Sequence, residues 1–331
     1  MSEGTVRTVS LEKLGGRLLI SLAMGLVVVV ALMAYGDFAQ IGQAAAVFQW
    51  GLIPLILGLT LVNYILRFVK WHFYLDLIGA GDTPLRDSFL MFFSGLSMVV
   101  TPGKVGEWLK SYLLMETRGI PFGRSAPIVL VERLTDAVAM LLLASVGLLM
   151  TQSGWQIAVA VLGLAALMVV ACQYRPLADL LLALGERLPL LSSRAHHLRD
   201  FLESAQTLLR TRNLAVGTGL GLVSWGAESL AFYVILLGMG LAAQPLVLTQ
   251  AAFILNTSIL AGSLTMIPGG LGVAEGGIAG LTQLFLGMTP ERAVVATLLI
   301  RFCTLWFGVS LGLAALITFS RRMTRATVHA S

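Results

Sequence analysis

Apolar residues dominate six long stretches of the chain, which are 17–35, 50–79, 124–150, 155–172, 214–240 and 293–319. A helix needs roughly 20 predominantly apolar residues to cross about 30 Å of hydrocarbon, at a rise of about 1.5 Å per residue. Each stretch reaches or approaches that length. The pattern therefore predicts six full membrane spans.

Two further apolar stretches, 85–116 and 247–286, are interrupted by Pro102-Gly103 and Pro268-Gly269. Proline removes a backbone N–H donor and clashes with the preceding turn, so a helix ends or kinks there. Short helices on either side of such a break are typical of the discontinuous helices that line binding sites in membrane transporters. We therefore expect each stretch to form a re-entrant helical hairpin of two half-helices.

The composition agrees with a membrane protein, because 57% of the 331 residues are hydrophobic, 12% are charged and the mean hydropathy is +0.88. A soluble domain of this composition would lack the polar residues to cover its surface. We predict an all-α polytopic protein that forms one integral membrane domain over residues 1–331. The two cysteines fall in apolar spans and suggest neither a disulfide framework nor a metal site.

Basic residues are unevenly distributed among the loops. They cluster at the N-terminus, in the segment 175–212 and in the C-terminal tail, whereas 36–49, 151–154 and 241–247 contain none. Threading six spans through these loops puts the arginine-rich segments on one side, which the positive-inside rule assigns to the cytoplasm. We expect both termini and the loop 175–212 to be cytoplasmic. The net charge of +5 then reflects topology rather than nucleic-acid binding.

The chain contains an internal repeat with an offset of 168 residues. At that offset the matched pairs are Glu107 with Glu275, Gly119 with Gly287, Arg124 with Arg292 and Arg133 with Arg301. We predict a first repeat over 50–150 and a second over 214–319. Counting crossings from a cytoplasmic N-terminus makes the hairpins open to opposite sides, so we expect inverted repeats whose breaks meet near mid-membrane. A purely structural duplication is the alternative.

Two glutamate–arginine pairs are expected inside the membrane. At about 1.5 Å per residue, Glu107 and Arg133 lie at similar depth, and so do Glu275 and Arg301. An unpaired charge there costs several kcal/mol, so each glutamate should pair with its arginine and help to bind substrate. Alternatively, the glutamates only favour the first turn of their own helices. Arg133 with Asp136, a further candidate for the substrate site, could also form a local ion network.

The two breaks share a backbone chemistry suited to anions. The half-helix after each break begins with free N–H groups at the positive end of its dipole, where phosphate binds well, and Lys104 adds a charge in the first break. The positions expected to allow turning and gating are Pro102, Gly103, Gly106, Pro268, Gly269, Gly270 and Gly272. Glu228 and Asn63 are candidates for the polar lining of the same substrate site, whereas Lys110 is expected at the membrane interface.

Four segments around the breaks carry a family resemblance: "PGKVGEWLKSYLL", "RGIPFGRSAPIVLVERLTDAVAMLLL", "IPGGLGVAEGGIAGL" and "GMTPERAVVATLLIRFCTLWFGVSLGL". With them, essentially the whole chain resembles the flippase-like family that includes the transmembrane region of lysylphosphatidylglycerol synthases. Family members often have an Ala-Arg pair after the first proline, where this chain has Gly103-Lys104. The resemblance implies binding or movement of amphiphilic lipids in a bacterial or archaeal plasma membrane. Cargoes proposed in the family include aminoacylated phospholipids, polyprenyl-linked sugars and hopanoid-type lipids.

The sequence contains no hydrolase, zinc-protease or P-loop motif, and no soluble transferase domain follows the last span before Ser331. We therefore expect a non-enzymatic lipid translocase, a flippase or scramblase, for an anionic or polyprenyl-phosphate lipid, with no cofactor and no metal. A lipid-biosynthesis enzyme is a second candidate partner. The alternative is a membrane enzyme or enzyme subunit in glycolipid, hopanoid or cell-envelope lipid biosynthesis, with Glu107 or Glu275 as general base. A non-catalytic scaffold is a third possibility.

Overall fold

The computed structural model describes residues 11–36, 38–101, 105–149, 155–173, 195–265 and 267–330. Every regular element in these residues is helical, and they contain no strand. The helices are α1 Leu11–Tyr35, α2 Phe38–Val47, α3 Ile53–Leu77, α4 Leu85–Leu96, α5 Val105–Arg118, α6 Phe122–Leu149, α7 Trp155–Gln173, α8 Ala195–Leu208, α9 Thr211–Gly238, α10 Pro245–Leu264, α11 Val273–Leu286, α12 Pro290–Arg301 and α13 Phe307–Ala330. A π-helical segment, Phe302–Trp306, joins α12 to α13.

Four helical stretches of the described chain are long and apolar enough to cross a membrane, namely Trp50–Leu77, Thr211–Gly238, Pro245–Leu264 and Pro290–Met323. A fifth span arises if Ala23–Tyr35 and Gln40–Val47, which meet at 99°, are counted as one bent helix. The expected spans 124–150 and 155–172 coincide with α6 and α7, which are not among the four. The fold is that of an all-helical, multi-pass membrane protein with four to five apolar spanning helices.

The outer face of α3 shows how these helices meet their surroundings. Val62, Ile65 and Val69 are exposed large apolar side chains at the spacing of one helix face. A soluble protein seldom leaves such a stripe open to water. The stripe therefore faces lipid, while the opposite face of α3, with Trp71 and Tyr74, is fully buried.

The two expected hairpins differ in their first helix. In the first, α4 has 12 residues, and tight turns between Ser97 and Thr101 continue it toward the break. In the second, α10 has 20 residues and is long enough to be a span by itself, so it differs from the half-helix expected there. The apolar pattern locates both breaks, but it does not determine how long the helix before each break becomes.

Helices after the two breaks match closely in length and position. α5 and α11 each have 14 residues and begin 168 residues apart, and the same offset separates the starts of α6 and α12. Gly119 and Gly287, which follow α5 and α11, have φ of 66° and 62°. These left-handed values are readily adopted by glycine and are typical of the residue that ends a helix.

The described helices pack around two main apolar cores. One core includes Ile56 and Ile300 and joins the first half of α3 to α9, α10, α11 and α12. The other includes Trp71, Leu114 and Phe319 and joins the second half of α3 to α4, α5, α6 and α13. Each core therefore includes the helices on either side of one break, and α3 belongs to both.

Candidate functional site

The second Pro-Gly break lies against the residues that come just before the first break in the chain. The backbone N–H of Gly269, in the second break, donates to the carbonyl oxygen of Val99, just before the first break, at 3.2 Å. A Cβ atom on Gly269 would lie only 3.2 Å from the Val100 side chain. Glycine at this position lets the two backbones approach each other.

Glycines with positive φ build the second break. Pro268–Gly270 form one 3₁₀ turn, and Gly269, Gly270 and Gly272 have φ of 61°, 65° and 86°. Other residues are strained at these angles, because Cβ collides with the backbone. The chain therefore turns sharply between α10 and α11, and α11 begins directly after Gly272.

A cavity of about 160 Å³ lies beside the contact between Gly269 and Val99, and Val99 is among its lining residues. Its seven charged lining residues are Arg67, Glu107, Lys110, Glu132, Arg133, Glu228 and Arg301. Apolar and small residues complete the lining, among them Tyr64, Leu96, Trp225, Ile259, Gly269 and Gly270. Such a volume can hold several water molecules or a small polar headgroup. Because charges inside a membrane bundle are costly, this cluster is the first candidate for a functional site.

Arg301 and Glu275 form the closer of the two expected pairs. Arg301 Nε donates to Glu275 Oε1 at 2.6 Å, and Nη2 donates to the Gly269 carbonyl oxygen at 2.7 Å. Glu275 Oε2 accepts the backbone N–H of Gly272 at 2.6 Å. Glu275 therefore pairs with the arginine and also stabilises the first turn of its own helix.

Arg133 and Glu107 approach each other more loosely. Arg133 Nε lies 3.5 Å from Glu107 Oε2, and Nη2 lies 3.3 Å from Asp136 Oδ2, which is one turn further along α6. The side chain of Arg133 is 36% exposed, against 7% for Arg301. The two copies are thus not equivalent: two carboxylates share Arg133, whereas a carboxylate and a backbone carbonyl hold Arg301.

Two buried lysines extend this network. Lys110 forms an ion pair with Glu132, and its Nζ lies 4.4 Å from the centre of the Trp71 ring. Lys70 Nζ lies 2.5 Å from Asp136 Oδ1. Lys110 is buried within the bundle, because the facing surface of α6 supplies a carboxylate that replaces water as its partner.

Arg67 and Glu228 are the two cavity charges that form no ion pair with another described residue. Arg67 Cζ lies 5.8 Å from the centre of the Trp225 ring, a cation–π contact. Glu228 is three residues further along α9 on the same side of the helix, and it is 5% exposed. Arg67 and Glu228 are therefore a cation and a carboxylate of the site that are not held in ion pairs with other described residues.

The other predicted site residues lie around this cavity. Asn63 Nδ2 donates to the Ser224 carbonyl oxygen at 3.0 Å, so it joins α3 to α9 and is not part of the lining. Asp136 lies behind Arg133 and contacts Lys70. Gly106 belongs to the first turn of α5. Pro102, Gly103 and Lys104 are outside the described residues.

Sequence reasoning missed Arg67, Lys70, Lys110 and Glu132 as members of the site. A signal for the first two was available, because both lie inside the predicted span 50–79, where an ionisable residue is a functional candidate by default. Their contacts were harder to predict from the sequence, since Lys70 contacts Asp136, which lies 66 positions away on another helix. Only the packing of α3 against α6 and α9 reveals them.

Comparison with known proteins agrees with the helical membrane fold. A UPF0104 membrane protein of Methanothermobacter thermautotrophicus is 27% identical over 333 aligned positions, which cover 90% of this chain and 93% of that protein. A second match to a UPF0104 membrane protein of that organism is 29% identical over 123 positions, or 37% of this chain and 35% of the relative. The lysylphosphatidylglycerol synthase TM region matches residues 18–312. The chain therefore belongs to the family of the lysylphosphatidylglycerol synthase TM region.

Proposed function

We propose that the protein is a lipid translocase, a flippase or scramblase, for an amphiphilic lipid with a phosphate-bearing headgroup. The observation that carries the proposal is the charged cavity beside the second backbone break, which contacts Val99 just before the first, in a largely apolar bundle. A headgroup in that cavity would exchange its water for fixed charges while its acyl chains stay in hydrocarbon. That exchange lowers the barrier to crossing the membrane.

The proposed architecture has six spans and two hairpins that open to opposite sides of the plasma membrane, with both termini cytoplasmic. Equal lengths and equal offsets of α5 and α11 support a duplication. Contact between Gly269 and Val99 supports a shared gate, because movement of either hairpin would change the other side of the cavity. Alternating access between inverted repeats is the mechanism this arrangement favours.

The phosphate in this proposal binds nearer to the first hairpin than to the second. At the second, Glu275 already accepts the Gly272 N–H, so part of the N-terminal binding capacity of α11 is in use. At the first, the sequence adds a positive charge, Lys104, directly before α5. The substrate site is therefore proposed to be asymmetric.

The contacts of Glu107 and Glu275, the two candidate general bases, favour a role in transport over one in catalysis. A general base must be directed at the proton that it takes from its substrate, whereas these carboxylates are directed at groups of the protein itself. Both oxygens of Glu275 accept hydrogen bonds, and Glu107 faces Arg133. We therefore propose a non-enzymatic protein whose partner is the lipid itself.

Lipids that copurify with the gently extracted protein test the proposal. Ile259→Trp fills the cavity, whereas Leu264→Trp, on the same helix and 75% exposed, faces outward and is the matched control. Mass spectrometry should find one phosphate-bearing lipid enriched over the bulk membrane in wild type and Leu264→Trp, but not in Ile259→Trp. The bulk lipid mixture in all three proteins would contradict the proposal.

A further inference from the structure

We propose that Arg67, rather than Arg133 or Arg301, is the residue that binds the lipid phosphate, and that Glu228 opposes this binding so that the lipid can leave. The inference deepens the proposed function and rests on it. It begins from the way charges are paired around the cavity. Arg67 was not among the residues that the sequence suggested.

The described cations of the network differ in what they would lose by binding a phosphate. Lys70, Lys110, Arg133 and Arg301 each contact a carboxylate, and Arg301 also donates to a backbone carbonyl. Turning one of them toward a ligand would leave a buried carboxylate without its partner, which is strongly unfavourable. Arg67 has no such partner among the described residues. It can bind an anion without breaking an ion pair.

The position of Arg67 also suits a phosphate. Its guanidinium lies over Trp225, so the ring restrains the side chain while the edge N–H donors stay available. One turn earlier on α3, Asn63 donates to the Ser224 carbonyl oxygen at 3.0 Å, and the Ser224 hydroxyl donates to the Asn63 carbonyl oxygen at 3.3 Å. These two bonds fix α3 against α9 next to the cavity. A guanidinium held in this way can present two parallel N–H groups to phosphate oxygens.

Glu228 supplies the opposing charge. It is buried, lines the same cavity and lies one turn from Trp225 on α9. In the empty cavity its carboxylate compensates the charge of Arg67 through space, although the two are not in contact. This carboxylate would repel a bound phosphate, because both groups are negatively charged. The repulsion weakens binding enough for the headgroup to be released, which a carrier requires.

Calorimetric titration of the full chain in detergent tests both residues. The probe is dihexanoyl phosphatidylglycerol, and dihexanoylglycerol, which lacks the phosphate, separates headgroup from acyl-chain binding. Arg67→Gln should weaken phosphatidylglycerol binding by about tenfold or more, the loss expected for a hydrogen bond between charged groups, without changing dihexanoylglycerol binding. Glu228→Gln should tighten phosphatidylglycerol binding several-fold. Arg322→Gln, which removes an exposed pair with Asp87, is the matched control and should bind like wild type.

Each alternative outcome has a separate meaning. If wild type binds phosphatidylglycerol in preference to dihexanoylglycerol and Arg67→Gln does so equally well, the assignment of Arg67 is wrong and the proposed function stands. If wild type shows no preference for the phosphate-bearing probe, the proposed function fails as well. Weaker binding in Glu228→Gln would overturn the role of Glu228. If Arg67→Gln folds poorly, the double variant Arg67→Gln, Glu228→Gln, which removes one charge of each sign, provides the same comparison. Equal loss of binding to both probes would show that Arg67 has a structural role.

Discussion

At the scale of single residues, Arg301 makes shorter contacts with its two partners than Arg133 makes with Glu107 and Asp136. It donates to Glu275 and to the carbonyl oxygen of Gly269, so it connects two ends of the second break to α12. The π-helical segment that begins at Phe302 changes the register of the helix directly after it. π-Bulges occur frequently at functional sites. Arg301 therefore holds the break in shape.

Removal of this arginine should destabilise the protein. Arg301→Gln leaves the buried Glu275 carboxylate without its cation, which typically costs about 3–5 kcal/mol. We expect a clear fall in the thermal unfolding temperature in detergent. Arg322→Gln removes an ion pair whose arginine side chain is 44% exposed, and such pairs contribute about 0–1 kcal/mol. Equal unfolding temperatures for the two variants would show that Arg301 does not hold the fold.

The residue scale also shows what the sequence could predict. The pairs of Arg133 with Glu107 and Arg301 with Glu275 followed from a repeated spacing of 26 residues and from matched depth. Lys110 could not be placed in this way, because its partner Glu132 belongs to no repeated spacing. Depth along one helix does not say which face packs against a neighbour.

At the scale of elements, the contact between the second break and the residues just before the first depends on Gly269. Its φ of 61° is unfavourable for other residues, and a Cβ atom would meet Val100 and Leu305 at 3.2 Å and 3.4 Å. Gly276, in α11, has no atom within 4 Å of such a Cβ and is therefore the natural comparison.

Gly269→Ala should disturb this contact, whereas Gly276→Ala should not. The left-handed backbone alone costs an alanine about 1–2 kcal/mol, and the crowding adds to it. In a helix interior, alanine is about 1 kcal/mol more favourable than glycine. We expect a lower unfolding temperature for Gly269→Ala and an unchanged or higher one for Gly276→Ala, measured by the same thermal assay. A fully stable Gly269→Ala would mean that the close approach of Gly269 to Val99 and Val100 contributes little to stability.

The positions of the two breaks could be predicted from the sequence, whereas the lengths of the helices before them could not. Pro102 and Pro268, each followed by glycine, located both interruptions, because proline removes a backbone donor and clashes with the preceding turn. Proline alone is not sufficient, since Pro127 lies inside α6. The lengths of α4 and α10 were not predictable, since both sequences are apolar before the break. α6 carries Glu132, Arg133 and Asp136 in a helix of 28 residues, and only partners on other helices make those charges tolerable.

At the scale of the whole molecule, the cavity lies where the two apolar cores approach each other. α3 contributes to both cores and supplies Tyr64 and Arg67 to the lining. Residues of each half of the chain therefore enclose one site. The repeat in the sequence predicted a shared site. Which residues line that site could be seen only from the packing of α3 between α6 and α9.

The orientation in the membrane is a further prediction at this scale. In a Cys172→Ser, Cys303→Ser background, single cysteines at Ser2 and Ser331 should be protected from a membrane-impermeant thiol reagent in intact cells. A cysteine at Ala243, in a loop without basic residues, should react. All three should react after the membrane is permeabilised. Labelling of either terminus in intact cells would contradict cytoplasmic termini.

The measurement that tests the central claim most directly is lipid translocation in liposomes that contain the purified protein. Fluorescent phosphatidylglycerol is distributed over both leaflets, and dithionite then bleaches the outer leaflet. Wild type and Arg322→Gln should allow bleaching to continue beyond the outer-leaflet fraction, whereas Ile259→Trp, with its cavity filled, should stop near the level of empty liposomes. Bleaching by wild type that stops at the level of protein-free liposomes would contradict a translocase for this lipid class, and equal activity of Ile259→Trp and wild type would contradict a path through this cavity.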